Sequence, residues 1–456
     1  MTSAAIDGFT GVVVRPGDPG YNTHRQVWNA AVDRRPALIA RCTTVPDVVT
    51  AIRFARAEGL EVAVKCGGHG ILGLAVPEGG IQLDLTPMGA VRVDPDQRLA
   101  YVQDALLGEL DRAGEPFGLA TTAGEISHTG VGGLTLGGGF GWLARQFGMS
   151  CDNVESYQLV TADGAVLRAS ATQHPDLYWG LRGGGGNFGV VTEFVFRLHP
   201  IPGTALMADL TFDVADAVGP MRRWRDLLDD APRPATLHSS VKTDADGRPV
   251  VNLGYVWAGE MADARAYLRV LRSIGTAEAE SVREFRYVEL QTLFDQKNIY
   301  GTRRHSTSHY LPELGDAAIA AYLARGVTAP DDVDWARIAS GGLELHGGAV
   351  ADVADEESAY SGRGALLEWS GSCAWTDPAE DHSRMAAARA YGAAMEPFAR
   401  GVYINNIGDE GEAGVRRAYT ADKLARLSAV KRVYDPDNVF HLNPNIVPAG
   451  TERETP

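Results

Sequence analysis

Apolar positions in the first part of the chain come as short runs cut by glycine, and their spacing switches between strand and helix periods. Short apolar runs predict strands over 60–64 and 80–85. Thr44-Val45-Pro46-Asp47 opens a helix. Its apolar side is Val48, Val49, Ile52, Phe54 and Ala55, and Glu58-Gly59 stops it. Residues 91–93 and 100–102 flank a polar turn and predict a hairpin. Residues 157–161 and 165–169 flank Asp163-Gly164, a strong hairpin turn signal. A short helix is predicted over 106–114, and residues 33–200 read as one α/β unit.

The pattern changes after His199-Pro200-Ile201-Pro202-Gly203. Strand-like runs at 206–212 and 250–256 precede amphipathic helices at 214–228 and 262–274, with further strands at 342–350 and 364–370. This order predicts an antiparallel or mixed sheet backed by helices. Towards the end, 403–406 reads as a strand, 421–433 as a helix and 440–447 as irregular chain.

Composition narrows the function class. The chain has 456 residues, 45% hydrophobic and 22% charged, and a net charge of −16. No basic surface is implied, so a nucleic-acid or anionic-membrane partner is not expected. The stretch 1–10 lacks the pattern of a signal peptide, and no run approaches a membrane span, which predicts a cytoplasmic protein. The four cysteines, Cys42, Cys66, Cys151 and Cys373, show no ligand spacing, so neither a disulfide framework nor a metal site is expected.

Glycine carries the first chemical signal. Lys65-Cys66-Gly67-Gly68-His69-Gly70 follows the strand at 60–64. A second run, from Thr129-Gly130 through Gly133-Leu134 to Gly138-Gly139, comes later, and a third ends at Gly189 and enters the apolar strand that starts Val190-Val191. Neither a P-loop nor a clean dinucleotide fingerprint is present. Dense glycine exposes consecutive backbone N–H groups and suits a pyrophosphate, although glycine also serves plain tight turns. Three such turns point to backbone wrapped around a large anionic cofactor. His69, with no side chain on the two residues before it, is the candidate to be bonded to that cofactor. Cys66 can touch it by position alone.

At these residues the chain resembles the FAD-linked oxidases with a p-cresol-methylhydroxylase-type (PCMH-type) flavin-binding fold, in their berberine-bridge-enzyme-like branch. The resemblance runs from Arg34 to Ile446 through the glycine turns, Asp152-Asn153-Val154, Asp176-Leu177-Tyr178-Trp179-Gly180-Leu181-Arg182-Gly183, Asn187-Phe188-Gly189-Val190-Val191-Thr192, Tyr434-Asp435-Pro436-Asp437-Asn438-Val439-Phe440 and Asn443-Pro444-Asn445-Ile446. Within the branch it looks most like bacterial 6-hydroxynicotine oxidases and flavin oxygenases of natural-product pathways. It implies an α+β fold: an FAD-binding part over 1–203, a substrate part over 204–400 with an antiparallel sheet backed by helices, and a segment over 401–456 returning to the FAD part. It implies that His69 bonds the C8 methyl carbon of FAD. Ile126 stands where many relatives carry a second tethering cysteine, so one covalent bond is expected. Lys65 reads as a cation near the cofactor. Gly67, Gly68 and Gly70 shape the His69 turn. Gly130, Gly133, Gly138 and Gly139 are implied to line the pyrophosphate or flavin, Gly189, Val190 and Val191 the adenine end, and Asn443 and Asn445 the isoalloxazine or ribityl chain. Thr129 and Leu134 match positions beside the flavin where O2 is thought to bind.

The catalytic side is read from one strand, Gly341-Gly342-Leu343-Glu344-Leu345-His346. Alternation puts Glu344 and His346 on one side. The resemblance implies Glu344 as base or substrate anchor with His346 as partner, and the competing reading is a surface-facing pair on an edge strand. Asn406 stands where sugar-oxidising relatives carry a catalytic tyrosine and cannot act as a base. The segment Arg303, Arg304, His305, His309 and Tyr310 is a candidate to bind a polar or acidic substrate, or else a solvated basic stretch. The function implied is an FAD-dependent oxidase that oxidises a small amine, alcohol or secondary metabolite with O2 as acceptor. The alternatives are an oxygenase or cyclising oxidase, and a flavin-binding protein without activity. The oligomeric state is open, a homodimer included.

Overall fold

The computed structural model describes residues 6–327, 334 and 337–450. The first five residues of the N-terminal stretch and residues 451–456 of the C-terminal one lie outside them.

Helix Val45–Ala57 begins where the sequence places it, because the signal is local. The Thr44 hydroxyl accepts a hydrogen bond from the Asp47 backbone N–H, and the Asp47 carboxylate accepts one from the Thr44 backbone N–H. The same carboxylate accepts from the backbone and hydroxyl of Thr10 (2.7 and 2.9 Å) and of Thr43 (3.0 and 2.8 Å). These bonds hold Asp47 well below the usual carboxylate range against the opposing effect of burial. Val48, Ala51, Ile52 and Ala55 then pack on a four-stranded sheet of Val12–Val14, Leu38–Arg41, Ile81–Asp84 and Val62–Lys65, in that order. Val12–Val14 joins antiparallel, and the other two pairings are parallel.

A second sheet is antiparallel throughout: Ala90–Asp94, Leu99–Gln103, Val190–Arg197, Val154–Val160 and Val166–Ser170. Both predicted hairpins are in it. A third sheet has seven antiparallel strands in the order Ala279–Arg286, Thr204–Asp213, Pro249–Ala258, Ala235–Thr243, Ser340–Leu345, Leu367–Trp375 and Arg303–Leu311. Helices Val218–Arg225, Met261–Arg272, Asp316–Ala324 and Asp381–Met395 cover one face, burying Trp224, Leu271, Tyr322 and Tyr391 against it. The other face is left for a site. Residues 402–446 return to the core of the second sheet through Val402, Tyr403, Leu427 and Ile446.

Four predicted elements differ in extent. The helix expected over 214–228 is a short turn, Val214–Asp216, followed by Val218–Arg225, because the Asp213 carboxylate caps the Ala215 N–H at 2.8 Å. The strand expected over 342–350 ends at Leu345, and Gly347 and Gly348, both at positive φ, turn the chain into helix Ala349–Asp352. The strand expected over 364–370 is displaced to Leu367–Trp375. Residues 404–406 form a 3-10 turn rather than a strand; a four-residue segment with only two apolar positions does not distinguish the two.

Asp47 ties the chain start, a loop and a helix to one anion. Asp47→Ala is expected to lower unfolding stability by about 2–4 kcal/mol in chemical denaturation. The folded-state pKa is depressed, so the difference between the two proteins is full above about pH 4 and shrinks as pH falls below it.

Candidate active site

Two of the glycine turns meet backbone to backbone. A Cβ on Gly67 would lie 2.3 Å from the Gly130 nitrogen, and one on Gly130 would lie 2.3 Å from Cys66 Sγ. This contact brings His69 to the wall of a cavity of about 530 Å³. The His69 ring stacks on Trp28 at 5.1 Å, with Tyr300 edge-on at 5.8 Å. Its Nε2 is 2.7 Å from His128 Nδ1. Burial, aided by His128 and Arg304, pushes the His69 pKa down to about 3, so the ring is neutral near neutral pH.

The same wall includes Cys66, Gly67, Gly68, Gly70, Thr129, Gly130, Gly133, Leu134, Gly189, Val190, Val191 and Asn443, with Ile126 beside them. Gly133 and Gly186 face open space. The side-chain oxygen of Asn443 is buried and has no hydrogen-bond partner. A glycine-lined cradle, a buried acceptor awaiting a donor and a neutral imidazole fit a flavin dinucleotide.

Four expected cofactor residues stand off this wall. The strand runs on to Lys65, so alternation turns Val62 and Val64 to the cavity and Lys65 away from it. Its amine donates to the carbonyls of His24 (2.6 Å) and Gln26 (2.7 Å). Gly138 and Gly139 serve packing. A Cβ on Gly138 would lie 2.8 Å from the Tyr360 ring, and one on Gly139 would lie 2.4 Å from Ser150 Cβ. The Gly139 N–H donates to the Tyr403 hydroxyl at 2.7 Å. Asn445 is outside the wall, beyond Pro444.

A second cavity of about 580 Å³ lies over the open face of the seven-stranded sheet. The two cavities share Glu125, Glu344, Glu368 and Asn406. Glu344 is opposite Glu368 across adjacent strands, a pairing of like charges that costs stability unless it is offset. Glu368 Oε1 accepts from Ser308 Oγ (2.8 Å) and Asn406 Nδ2 (2.6 Å). Glu344 has its carboxyl pushed well above the ordinary range by burial and then by Glu125, with His346 opposing and Glu368 adding. Glu125 is likewise raised, chiefly by burial. Two carboxyl groups this close hold one proton between them.

Glu344 is on an inner strand, not an edge. His346 is past the strand end and fully buried, stacked on Phe140 at 4.0 Å, its Nε2 3.6 Å from Glu368 Oε2. It lines neither cavity and backs Glu368 rather than facing a substrate. The segment at 303–310 is structural. Arg303 pairs with Asp381, Arg304 donates to carbonyls of Thr302 (2.9 Å) and Ile299 (3.1 Å), and Tyr310 bonds Tyr360 at 2.8 Å. His309 is held between the Gly392 carbonyl (3.0 Å) and Arg417 (2.7 Å), and His305 is buried.

Comparison with known proteins agrees with this geometry. Residues 36–170 match the FAD binding domain family, and residues 402–447 match the berberine and berberine-like family. (R)-6-hydroxynicotine oxidase of Paenarthrobacter nicotinovorans is 31% identical, over 97% of each chain. The crystal structure of 6-hydroxy-D-nicotine oxidase from Arthrobacter nicotinovorans superposes with a TM-score of 0.87 at 28% identity, covering 98% of this chain and 99% of that one. Glucooligosaccharide oxidase from Acremonium strictum, which carries a 6-S-cysteinyl, 8α-N1-histidyl FAD, shares the fold at a TM-score of 0.84 and 22% identity, covering 96% of this chain and 97% of that one. The chain belongs to the FAD-linked oxidases of the berberine-bridge-like branch. It is an FAD-dependent oxidoreductase with a PCMH-type fold.

The shared proton has a direct signature. Infrared difference spectra should show a protonated carboxyl near neutral pH that is lost in Glu344→Gln. In Glu125→Gln the Glu344 carboxyl should titrate at lower pH, because a neighbouring negative charge is removed. A fully ionised Glu344 in the unmodified protein would contradict this assignment.

Proposed function

We propose that this chain is an amine oxidase of the flavin type, carrying its FAD on a single bond from His69 and passing electrons to O2. The observation that carries this reading is the cluster Glu125, Glu344 and Glu368 where the two cavities join. A cationic substrate gains from that negative charge in a dry site, whereas a neutral sugar does not. The similar 6-hydroxynicotine oxidases support the reading by their own substrate, a nicotine derivative, and the family resemblance implies that Asn406 takes the place of a basic tyrosine.

His69 is prepared for a covalent bond by its neutral ring, and His128 at Nε2 leaves Nδ1 without a hydrogen bond. A second tether has no thiol to use. Ile126 is on the wall, and the nearby Cys66 is packed 3.8 Å from the Asp104 and Ala105 carbonyls, its thiol raised by burial far from the reactive thiolate. FAD, when bound, supplies the acceptor for a hydride leaving the substrate carbon beside nitrogen. The Glu125–Glu344 pair, holding one proton between two carboxyls, keeps one negative charge and takes the ammonium proton, with Glu344 presenting Oε1, a buried oxygen with no hydrogen-bond partner. Glu368, fixed by Ser308 and Asn406, orients the cation. Trp142 and Phe294 form an apolar part of the second cavity's wall.

Acid-precipitated protein should remain yellow, and His69→Ala should release its flavin on the same treatment; a colourless wild-type pellet would refute the covalent bond. Glu344→Gln should slow anaerobic flavin reduction by an amine about 10²–10⁴-fold with flavin content retained. Unchanged reduction would remove Glu344 from the reaction. With isotope-labelled O2, label should appear in peroxide and not in the organic product; label in the product would favour the oxygenase reading.

A further inference from the structure

The second cavity carries charge of opposite sign at its two ends. One row of paired residues crosses its floor: Asp209, Gly254, His238, Glu344 and Glu368. Gly254 leaves room for His238 Nε2 to reach Asp209 at 2.8 Å; a Cβ there would lie 2.7 Å from that carboxylate and 2.9 Å from that ring. Asp209 is thereby engaged, and the unengaged carboxyls are at the flavin end.

The outer end is cationic. Lys242 is four residues along the strand from His238, roughly 13 Å at the rise of a strand, and is half-buried. Lys297 faces it from the turn Asp295–Lys297 and is exposed. Among the described residues, neither forms an ion pair with a carboxylate. Burial and then the nearby Lys297 lower the Lys242 pKa, with Asp209 opposing. Arg283 is at the other end of the floor: its strand partner Met207 is in register with Thr236, on the far side of His238 from Lys242. Two adjacent cations at one mouth, on a chain of net charge −16, call for an anion.

We infer that the substrate is bipolar, with a basic nitrogen at Glu125, Glu344 and Glu368 and an anionic group, carboxylate or phosphate, at Lys242 and Lys297, roughly 14 Å from Glu344, four residues along and one strand across. The nitrogen end rests on the amine-oxidase reading; the anionic end does not.

The test is anaerobic titration of the flavin-loaded enzyme, followed by perturbation of the flavin spectrum. The probes are ω-aminocarboxylates and ω-aminoalkyl phosphates with chains of about four to twelve carbons, long enough to reach the mouth, with matching n-alkylamines, ω-hydroxycarboxylates and n-alkanols. The longer acid-tailed probes should bind about tenfold tighter than their tailless partners. That advantage should shrink with added salt and largely vanish in the Lys242→Ala, Lys297→Ala double variant, while Lys242→Arg keeps it. Equal binding with and without the tail, or an advantage indifferent to salt, would overturn the inference. The carboxylate and phosphate series show which anion is preferred. Tighter binding of the hydroxy than of the amino head groups would refute the amine reading alone and leave the anionic end standing.

Discussion

The structure depends on one backbone contact, the seating of Gly67 against Gly130. Neither position tolerates a Cβ, since each would place it 2.3 Å from the other turn. The contact joins the parallel four-stranded sheet to the loop that follows the antiparallel one, and it fixes His69 beside His128 and under Trp28. The same economy recurs where Gly137 meets Asn405, a Cβ there lying 2.1 Å from its side-chain oxygen. Glycine in this fold is chiefly a means of bringing separate segments into backbone contact.

Against that rigid cradle, the carboxyl cluster is electrostatically unfavourable by itself. Glu344 and Glu368 are opposed in register and Glu125 approaches from a different segment. Such an arrangement is unfavourable without compensation. Ser308 and Asn406 stabilise Glu368, and a shared proton relieves Glu344 and Glu125. A bound cation would complete the compensation, which is the basis of the amine reading. Local destabilisation held by a stable surround is a common property of functional sites.

What could be read from the sequence was what is encoded within a few residues. Helix Val45–Ala57 was legible from Thr44 and Asp47, and the two hairpins from their turns. Four strands of the seven-stranded sheet were legible as apolar runs, while Ala235–Thr243, Ala279–Arg286 and Arg303–Leu311 were not; the His69 turn was legible from its glycines. Glu344 was singled out by the family resemblance, with alternation giving only the side of its strand. Glu368 and Glu125 were not, because their roles arise from register between strands and from a loop far away in sequence. Lys65 was misplaced because the strand extends to it, and alternation then reverses its side. His346 was misplaced because its strand ends one residue earlier. Gly138 and Gly139 were assigned to the cofactor because glycine looks alike whether it faces a ligand or a tyrosine ring.

The chain closes its cofactor cavity with a segment made long after the parts it closes. Tyr403 anchors Gly139, Asn405 holds the Leu134 carbonyl at 2.9 Å, and Asn443 supplies wall to the same cavity as His69. Contacts so distant in sequence form late in folding. The cradle is therefore incomplete during most of synthesis, and a flavin bonded to His69 would certify that the whole chain had been made and assembled.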